Sequence, residues 1–368
     1  MAKITMEEIS KLAGVSMATV SRTIHSPHLV RRETRERINQ VMEKANYIYH
    51  APAGDLSRKR SSIIGVIIPT AKSLVFSSTL QAIQEAAQQN NFSLVAGSSK
   101  YDIGTELALL QQFRERRLAG IIITGFVFGQ KDLVKEMVKG GMPCVVIWDK
   151  LDDPDLSYVG FDNYEATYRI TEYLIGLRHK HIGFIVGPYT KVERVKKRLE
   201  GFKAALKDNG LRFDSSLVIE KEPTLIDGKE AMGRLLSLPV RPTAVLAASD
   251  TLAVGALAAA RDMKLRVPED ISIAGFDDIE VAAYCNPPLT TVKVPAYEIG
   301  LIAFKILMDL IGSGSDQVQQ YCLDTSVIIR GSCRELDNDE VDARPIEGHV
   351  NKKGAQTPRG RQSDITGN

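Results

Sequence analysis

The stretch "ISKLAGVSMATVSRTIH" (residues 9–25) sets a single glycine between two runs of helix formers. Just upstream, Thr5 precedes Met6-Glu7-Glu8, an N-cap followed by acids in a first helical turn. Apolar residues then fall at Met6, Ile9, Leu12 and Ala13, the spacing of one helical face. Gly14 suits the stop after that helix because glycine accepts positive φ. Ser16 caps a second helix with Val20 and Ile24 inward. A third helix follows Ser26-Pro27, with Ile38, Val41, Met42 and Ala45 on one side. Two short helices around a glycine-containing turn predict a helix-turn-helix over residues 1–46.

The outward residues of the second helix are Met17, Ala18, Thr19, Ser21 and Arg22. They are small or polar enough for close approach to a groove. Arg22 can bond guanine O6 and N7 in bidentate fashion. Thr19, Ser21 and Thr34 can hold phosphates and set the register. A plain three-helix module packing on a protein partner would show similar apolar spacing. Glycine, cap and charge together favour nucleic acid.

Charge is unevenly distributed. Residues 1–60 hold eleven Lys/Arg against six Asp/Glu, an excess of +5; the remaining 308 hold 36 against 39, a balance of −3. On charge alone, a head for a polyanion and a solvated basic surface stay equally open. The 368 residues exceed what one core organises. Cys144, Cys285, Cys322 and Cys333 are scattered with no C-x-x-C pair, so neither metal nor redox motif is expected and a reducing cytoplasm is the simpler setting. "MAKITMEEIS" has no apolar core of a secretory signal, and no run of 18 apolar residues occurs.

From residue 63 the pattern changes. Apolar runs at 63–69, 92–98, 119–124, 143–148, 181–187, 243–249 and 271–277 read as buried strands. Amphipathic stretches at 76–90, 105–117, 130–139, 163–178, 195–209, 250–263 and 296–311 read as helices between them. Such alternation predicts βαβ units, parallel sheets and an α/β body of two lobes. The lobes part near residue 160. The expected division is lobe one at about 63–160 and 290–320, and lobe two at about 161–289 and 321–336. In this reading "YCLDTSVIIRGSC" (321–333) returns to lobe two. Ligands of open α/β sheets bind beyond the carboxyl ends of strands. Asp149, Asp250 and Asp277 each end such a run. An Asp there can equally cap the next helix, as Asp250 could before "TLAVGAL".

"TMEEISKLAGVSMATVSRTIHSPHLVRRETRERINQVMEKANYI" resembles the DNA-binding head of the lactose-repressor (LacI/GalR) family of bacterial transcription regulators. "YVGFDNYEA", "RLEGFKAAL", "RPTAVLAASDTLAVGAL" and "LRVPEDISIAGFDDIEVAAYCNPPLTTVKVP" carry the resemblance across both lobes. The resemblance implies an all-α helix-turn-helix head on a two-lobed periplasmic-binding-protein-like body. It implies a homodimer on a roughly palindromic operator, and a small effector that closes the lobes. The expected DNA-facing set is Thr5, Ser16, Met17, Ala18, Thr19, Ser21, Arg22 and Thr34, with Met17, Ala18 and Arg22 at the base-reading positions. Leu56 stands where the family wedges a leucine into the minor groove from a hinge at 47–62. Pro52 and Gly54 depart from the family's hinge pattern and disfavour a helix interior.

By the same resemblance, Arg198 is the arginine that holds ligand hydroxyls or a carboxylate. Phe76 and Phe161 are apolar walls, and Ser73 and Thr124 lie on the lobe-one side. With Asp149, Asp250 and Asp277 they form the expected effector set, suited to a sugar. Ser249-Asp250 replaces the family's Asn-Asp. The run "PYTKVERVKKR" (188–198) is strongly basic. If it faces the cleft, a sugar acid of the gluconate type is favoured over a neutral sugar. No G-x-x-x-x-G-K-[ST], G-x-S-x-G or H-E-x-x-H occurs, so no enzyme, metal or cofactor is expected. The competing readings are a cytoplasmic sugar receptor or an α/β ligand-processing protein without an operator. Residues 337–368 are polar and aperiodic, and are expected to be disordered, with no tetramerising heptads.

Overall fold

A computed structural model of the chain describes residues 4–25, 27–47, 61–70, 74–313 and 317–337. Residues 48–60 of the expected hinge, Leu56 among them, Ser73 and the tail beyond residue 337 lie outside these. Contacts divide the chain into two bodies, residues 1–62 and 63–368.

The first body holds α1 (Met6–Ala13), α2 (Met17–His25) and α3 (Arg32–Lys44). Thr5 and Glu8 form a reciprocal capping box, which satisfies two backbone N–H groups at the start of α1. Gly14 ends the helix at φ 64°, a left-handed conformation that costs glycine little. Only residues 14–16 separate α1 from α2. Ile9, Ala13, Val20 and Ile38 form the buried centre, and Ile24, Val41, Met42 and Tyr47 pack around it. A core this small makes a body of marginal stability.

The second body contains two parallel sheets. The first has the order β11-β5-β4-β3-β1-β2, from β1 (Ile63–Ile68), β2 (Ser93–Ser98), β3 (Gly120–Thr124), β4 (Cys144–Ile147), β5 (Ser157–Gly160) and β11 (Gln320–Cys322). Its helices are α4 (Leu74–Gln89), α5 (Ile103–Glu115), α6 (Lys131–Lys139) and α12 (Ala296–Ser313). The second sheet has the order β7-β6-β8-β9, from β6 (Ile182–Val186), β7 (Val218–Glu220), β8 (Ala244–Ala247) and β9 (Ser272–Ala274). It is flanked by α7 (Asn163–Gly176), α8 (Glu193–Asp208), α9 (Leu225–Leu236) and α10 (Asp250–Asp262), with the short α11 (Glu280–Tyr284) after β9. The inner strands are short apolar runs buried on both faces, as expected of parallel sheets under helices: β3, β4, β6 and β8 are buried throughout, while the edge strands β2 and β7 are only partly buried and β11 is exposed.

The chain passes between the lobes three times: at 160–163, through β10 (Thr291–Lys293), and back along β12 (Ser326–Ile328), which pairs antiparallel with β10. Here one expectation is corrected. Residues 320–322 do not enter lobe two. They add a parallel edge strand to lobe one, with Gln320 opposite Tyr158 and Cys322 opposite Gly160. The Gln320 amide fixes that register by donating to the carbonyls of Asp153 and Leu156. From about Arg330 the chain lies against lobe two: the Arg330 guanidinium donates to the Leu289 carbonyl and to Asp278, and the Ile273 N–H donates to the Ser332 carbonyl.

Candidate DNA interface and effector cleft

In the first body, Met17, Ala18 and Arg22 are exposed on one side of α2, while Val20 is fully buried on the other. Met17 is 52% exposed, so its apolar side chain is free to meet a groove. Ser16 and Thr5 have structural work as well. The Ser16 hydroxyl accepts from the Thr19 N–H and lies 2.9 Å from the Thr19 hydroxyl, and Thr5 caps α1. Their oxygens are therefore committed to caps, which leaves Thr5 least suited to a phosphate. Ser21 and Thr34 are half-buried.

The effector cleft lies at the carboxyl ends of the strands of both lobes. Lobe one lines it with Val75 and Phe76 of α4, Tyr101 after β2 and Trp148 after β4. Lobe two lines it with Gly187 and Pro188 after β6, Arg194, Val195 and Arg198 of α8, Ser249 after β8 and Asp277 after β9. About 50 Å³ of free space remains, against roughly 300 Å³ or more in an open ligand site. The lobes are drawn together.

Three lining residues hold left-handed backbone without being glycine: Tyr101 at φ 56°, Trp148 at φ 70° and Asp277 at φ 115°. Each costs on the order of 1–3 kcal/mol, and such strain concentrates at ligand sites. Asp277 is held there because its N–H donates to the Val292 carbonyl, where the chain crosses between lobes.

Arg198 is the organising cation. Its Nε donates to Asn163 Oδ1 at 2.8 Å and its Nη1 to the Ala248 carbonyl at 2.7 Å. Its guanidinium lies 3.8 Å from the centre of the Phe276 ring. This needs α7 and α8 to pack tightly. Gly201 permits it, since a Cβ there would sit 2.2 Å from the Tyr164 carbonyl oxygen. Burial pulls the Arg198 pKa down to about 10, with Asp277 opposing; it stays cationic at neutral pH. Burial pushes the Asp277 carboxyl well above the usual range, against the pull of Arg198. Burial likewise pushes the Tyr101 phenol up to about 12, keeping it a neutral donor.

Of the expected effector residues, Phe76, Arg198 and Asp277 line the cleft together. Four others lie behind its wall. Phe161 is fully buried between Trp148 and Phe276. The Thr124 hydroxyl donates to the Ile67 carbonyl and is closed off. Asp250 accepts from the Thr291 hydroxyl and the Ile279 N–H, and the cap of α10 is Ser249 instead. Asp149 is completely buried against Lys197. Of the basic run at 188–198, Arg194 and Arg198 line the cleft. Lys196 instead reaches the Phe128 ring and Glu200. Tyr101, Trp148 and Arg194 were not anticipated as site residues. The chain's single tryptophan, ending a strand run immediately before Asp149, was a readable signal.

Comparison with known proteins agrees with both bodies. The family "Bacterial regulatory proteins, lacI family" matches residues 5–49, and the periplasmic binding protein-like domain matches residues 171–333. The HTH-type transcriptional repressor CytR of Escherichia coli (strain K12) is 33% identical over 337 residues, covering 90% of this chain and 97% of its own. A Lac repressor dimer bound to operator and the anti-inducer ONPF superposes with TM-score 0.79 at 27% identity, over 90% of this chain and 100% of that one. The transcription regulator GntR of Chromobacterium violaceum superposes with TM-score 0.66 at 33% identity, over 73% of this chain and 98% of that one.

Proposed function

Because the chain belongs to the lacI family of bacterial regulatory proteins, we propose that it is a cytoplasmic homodimeric repressor whose hold on an operator is set by a sugar acid bound between its lobes. DNA binding and transcriptional regulation come with the family. The dimer, the compartment, the effector class and the absence of a catalytic role are our reading. Within the described residues, no helix is long and apolar enough to cross a membrane, and no cluster of His, Cys, Asp and Glu could hold a metal.

The observation that carries the effector class is the charge of the cleft wall. Arg194 and Arg198, both more than 90% buried, face a single acid, Asp277. Burial biases that acid toward its neutral form. A neutral sugar would leave two desolvated guanidinium groups offset only by Asp277 and, from behind the wall, by Asp149 and Glu106, whereas a carboxylate adds a counter-charge inside the cleft. A carboxylate meets the planar guanidinium fork with two parallel charge-assisted bonds. Asp277, the Tyr101 phenol and the Ser249 hydroxyl then suit ligand hydroxyls, and Phe76 and Trp148 offer an apolar wall to C–H groups.

On the DNA side, the exposed Arg22 suits a bidentate contact with guanine, and the exposed Met17 and Ala18 suit apolar contact with thymine methyls. Ser21 and Thr34 are placed to set register on phosphates. Closure of the lobes shifts operator affinity by the difference in effector binding between two states of the body.

Calorimetry of the full chain with a six-carbon sugar acid and with the parent neutral hexose tests the effector class. The acid is expected to bind at least about tenfold tighter, a difference of about 1.4 kcal/mol. Equal binding, or a preference for the neutral sugar, contradicts the reading.

A further inference from the structure

Asp149, expected among the ligand contacts, is engaged inside the protein instead. The Lys197 ammonium sits 2.9 Å from Asp149 Oδ1 and 2.6 Å from the Lys150 carbonyl. Asp149 and Lys150 belong to lobe one and Lys197 to α8 of lobe two. The ion pair therefore spans the lobes. Asp149 is fully buried, and its Oδ2 has no hydrogen-bond partner among the described residues. Asn163 Nδ2 reaches Oδ1 only at 3.4 Å.

The pair closes one end of a longer seam, all of it made by the start of α8 and the loop before it. The Phe128 N–H donates to the Lys191 carbonyl at 2.9 Å and the Glu193 N–H to the Phe126 carbonyl at 3.1 Å. Between these, Val127 and Val192 form an antiparallel bridge. Arg194 Nη1 donates to the Thr124 carbonyl at 3.0 Å. Every donor or acceptor on one side belongs to lobe one, and every partner to lobe two.

We propose that Lys197 is an internal latch of the effector site, holding Asp149 so that the effector-free lobes rest closed. A carboxylate with one buried oxygen unbonded has capacity for a further donor. In the closed state it has the lysine and one long contact from Asn163, both on Oδ1; with the lobes parted, an effector hydroxyl can compete for it. With about 50 Å³ free in the closed cleft, an effector enters while the lobes are parted and this contact is broken, and closure around the effector competes with closure on the latch alone. Lys197 thus sets the effector concentration at which the repressor responds. The regulatory meaning rests on the effector reading above, whereas the latch itself is testable with no effector present.

Hydrogen exchange on the effector-free, full-length protein is the test. The amides of Phe128 and Glu193 are bonded only across the seam, so their protection reports its opening. Lys197→Met and Asp149→Asn are each expected to speed their exchange by about tenfold or more, with the double variant adding little, because both remove one interaction. Amides of β6 and β8 should exchange as in the wild type. Unchanged exchange at Phe128 and Glu193, or fully additive effects of the two substitutions, overturns the latch. Asp149→Asn is isosteric, so it decides the matter alone should Lys197→Met fail to fold. Failure of the sugar-acid reading would leave this result untouched, and failure of the latch would leave calorimetric selectivity untouched.

Discussion

Arg198→Lys keeps the charge at the centre of the cleft and removes the fork. In the wild type the guanidinium makes two charge-assisted bonds, at 2.8 Å to Asn163 and 2.7 Å to the Ala248 carbonyl. A lysine ammonium can reach one of them from this position. The other acceptor is then left buried and unpaired, at a cost of about 1–3 kcal/mol. Loss of the planar stack on Phe276, 3.8 Å from guanidinium to ring centre, adds up to about 2 kcal/mol in a desolvated site. The body should lose about 2–4 kcal/mol of stability in urea unfolding, a clear fall in midpoint at constant slope. Effector affinity should fall further, by about 100-fold, since a bidentate carboxylate contact becomes a single one worth roughly 3 kcal/mol less. Operator binding without effector should persist, because the substitution lies outside the first body. Wild-type effector affinity in a variant destabilised by less than about 1 kcal/mol would refute the assignment of Arg198 as the carboxylate fork.

Three further outcomes follow from the geometry of the head and of lobe two. Arg22→Ala should cost about 1–3 kcal/mol of specific operator affinity and relax selectivity at one base pair, while exchanging the exposed pair Met17-Ala18 should change the selected half-site with little change in stability; selection from random duplexes checks both. Burial raises the Asp250 pKa to about 7 from an ordinary 3.8, so the native state keeps a proton that the unfolded chain has lost between those values. Its contribution is full below about pH 4 and disappears as pH rises through 7, a slope of about 1.4 kcal/mol per pH unit. Subtracting Asp250→Asn from the wild type isolates this from acids shifted the other way, such as Asp270, lowered to about 2 by Arg266; a difference that stays flat from pH 5 to 6.5 contradicts the buried, protonated Asp250.

The elements legible in the sequence were those whose burial leaves a period. The seven apolar runs became strands and the seven amphipathic stretches became helices. The helix Leu225–Leu236 was passed over because it carries two glycines and an exposed Leu225-Ile226 start. Gly228 is there for packing, since a Cβ would meet the Leu252 carbonyl oxygen of α10 at 2.3 Å. Strands of three residues, such as β7, β10 and β11, are too short for any period to emerge. The path of 320–328 was misjudged for the same reason: its register depends on the Gln320 amide meeting carbonyls more than 160 residues away. Of the cleft lining, Arg198 and Asp277 were expected because each stands in a distinctive local motif. Asp149 was assigned to ligand because nothing local reveals that Lys197, 48 residues on, would reach it. Tyr101 was missed because it enters the cleft through a turn with two successive residues at positive φ, Lys100 and Tyr101, neither of them a glycine that would announce it.

The central claim is that an anionic metabolite in the cleft governs the grip of the helix-turn-helix head on DNA. Fluorescence anisotropy of a duplex selected by the protein from a random pool, titrated at fixed salt with and without a saturating six-carbon sugar acid, tests it most directly. The account predicts an operator affinity that changes at least about fivefold, a coupling of roughly 1 kcal/mol or more, with the acid and not with the neutral hexose, and no such change in Arg198→Lys. Identical titration curves with and without the acid, or the same shift in Arg198→Lys, would contradict it.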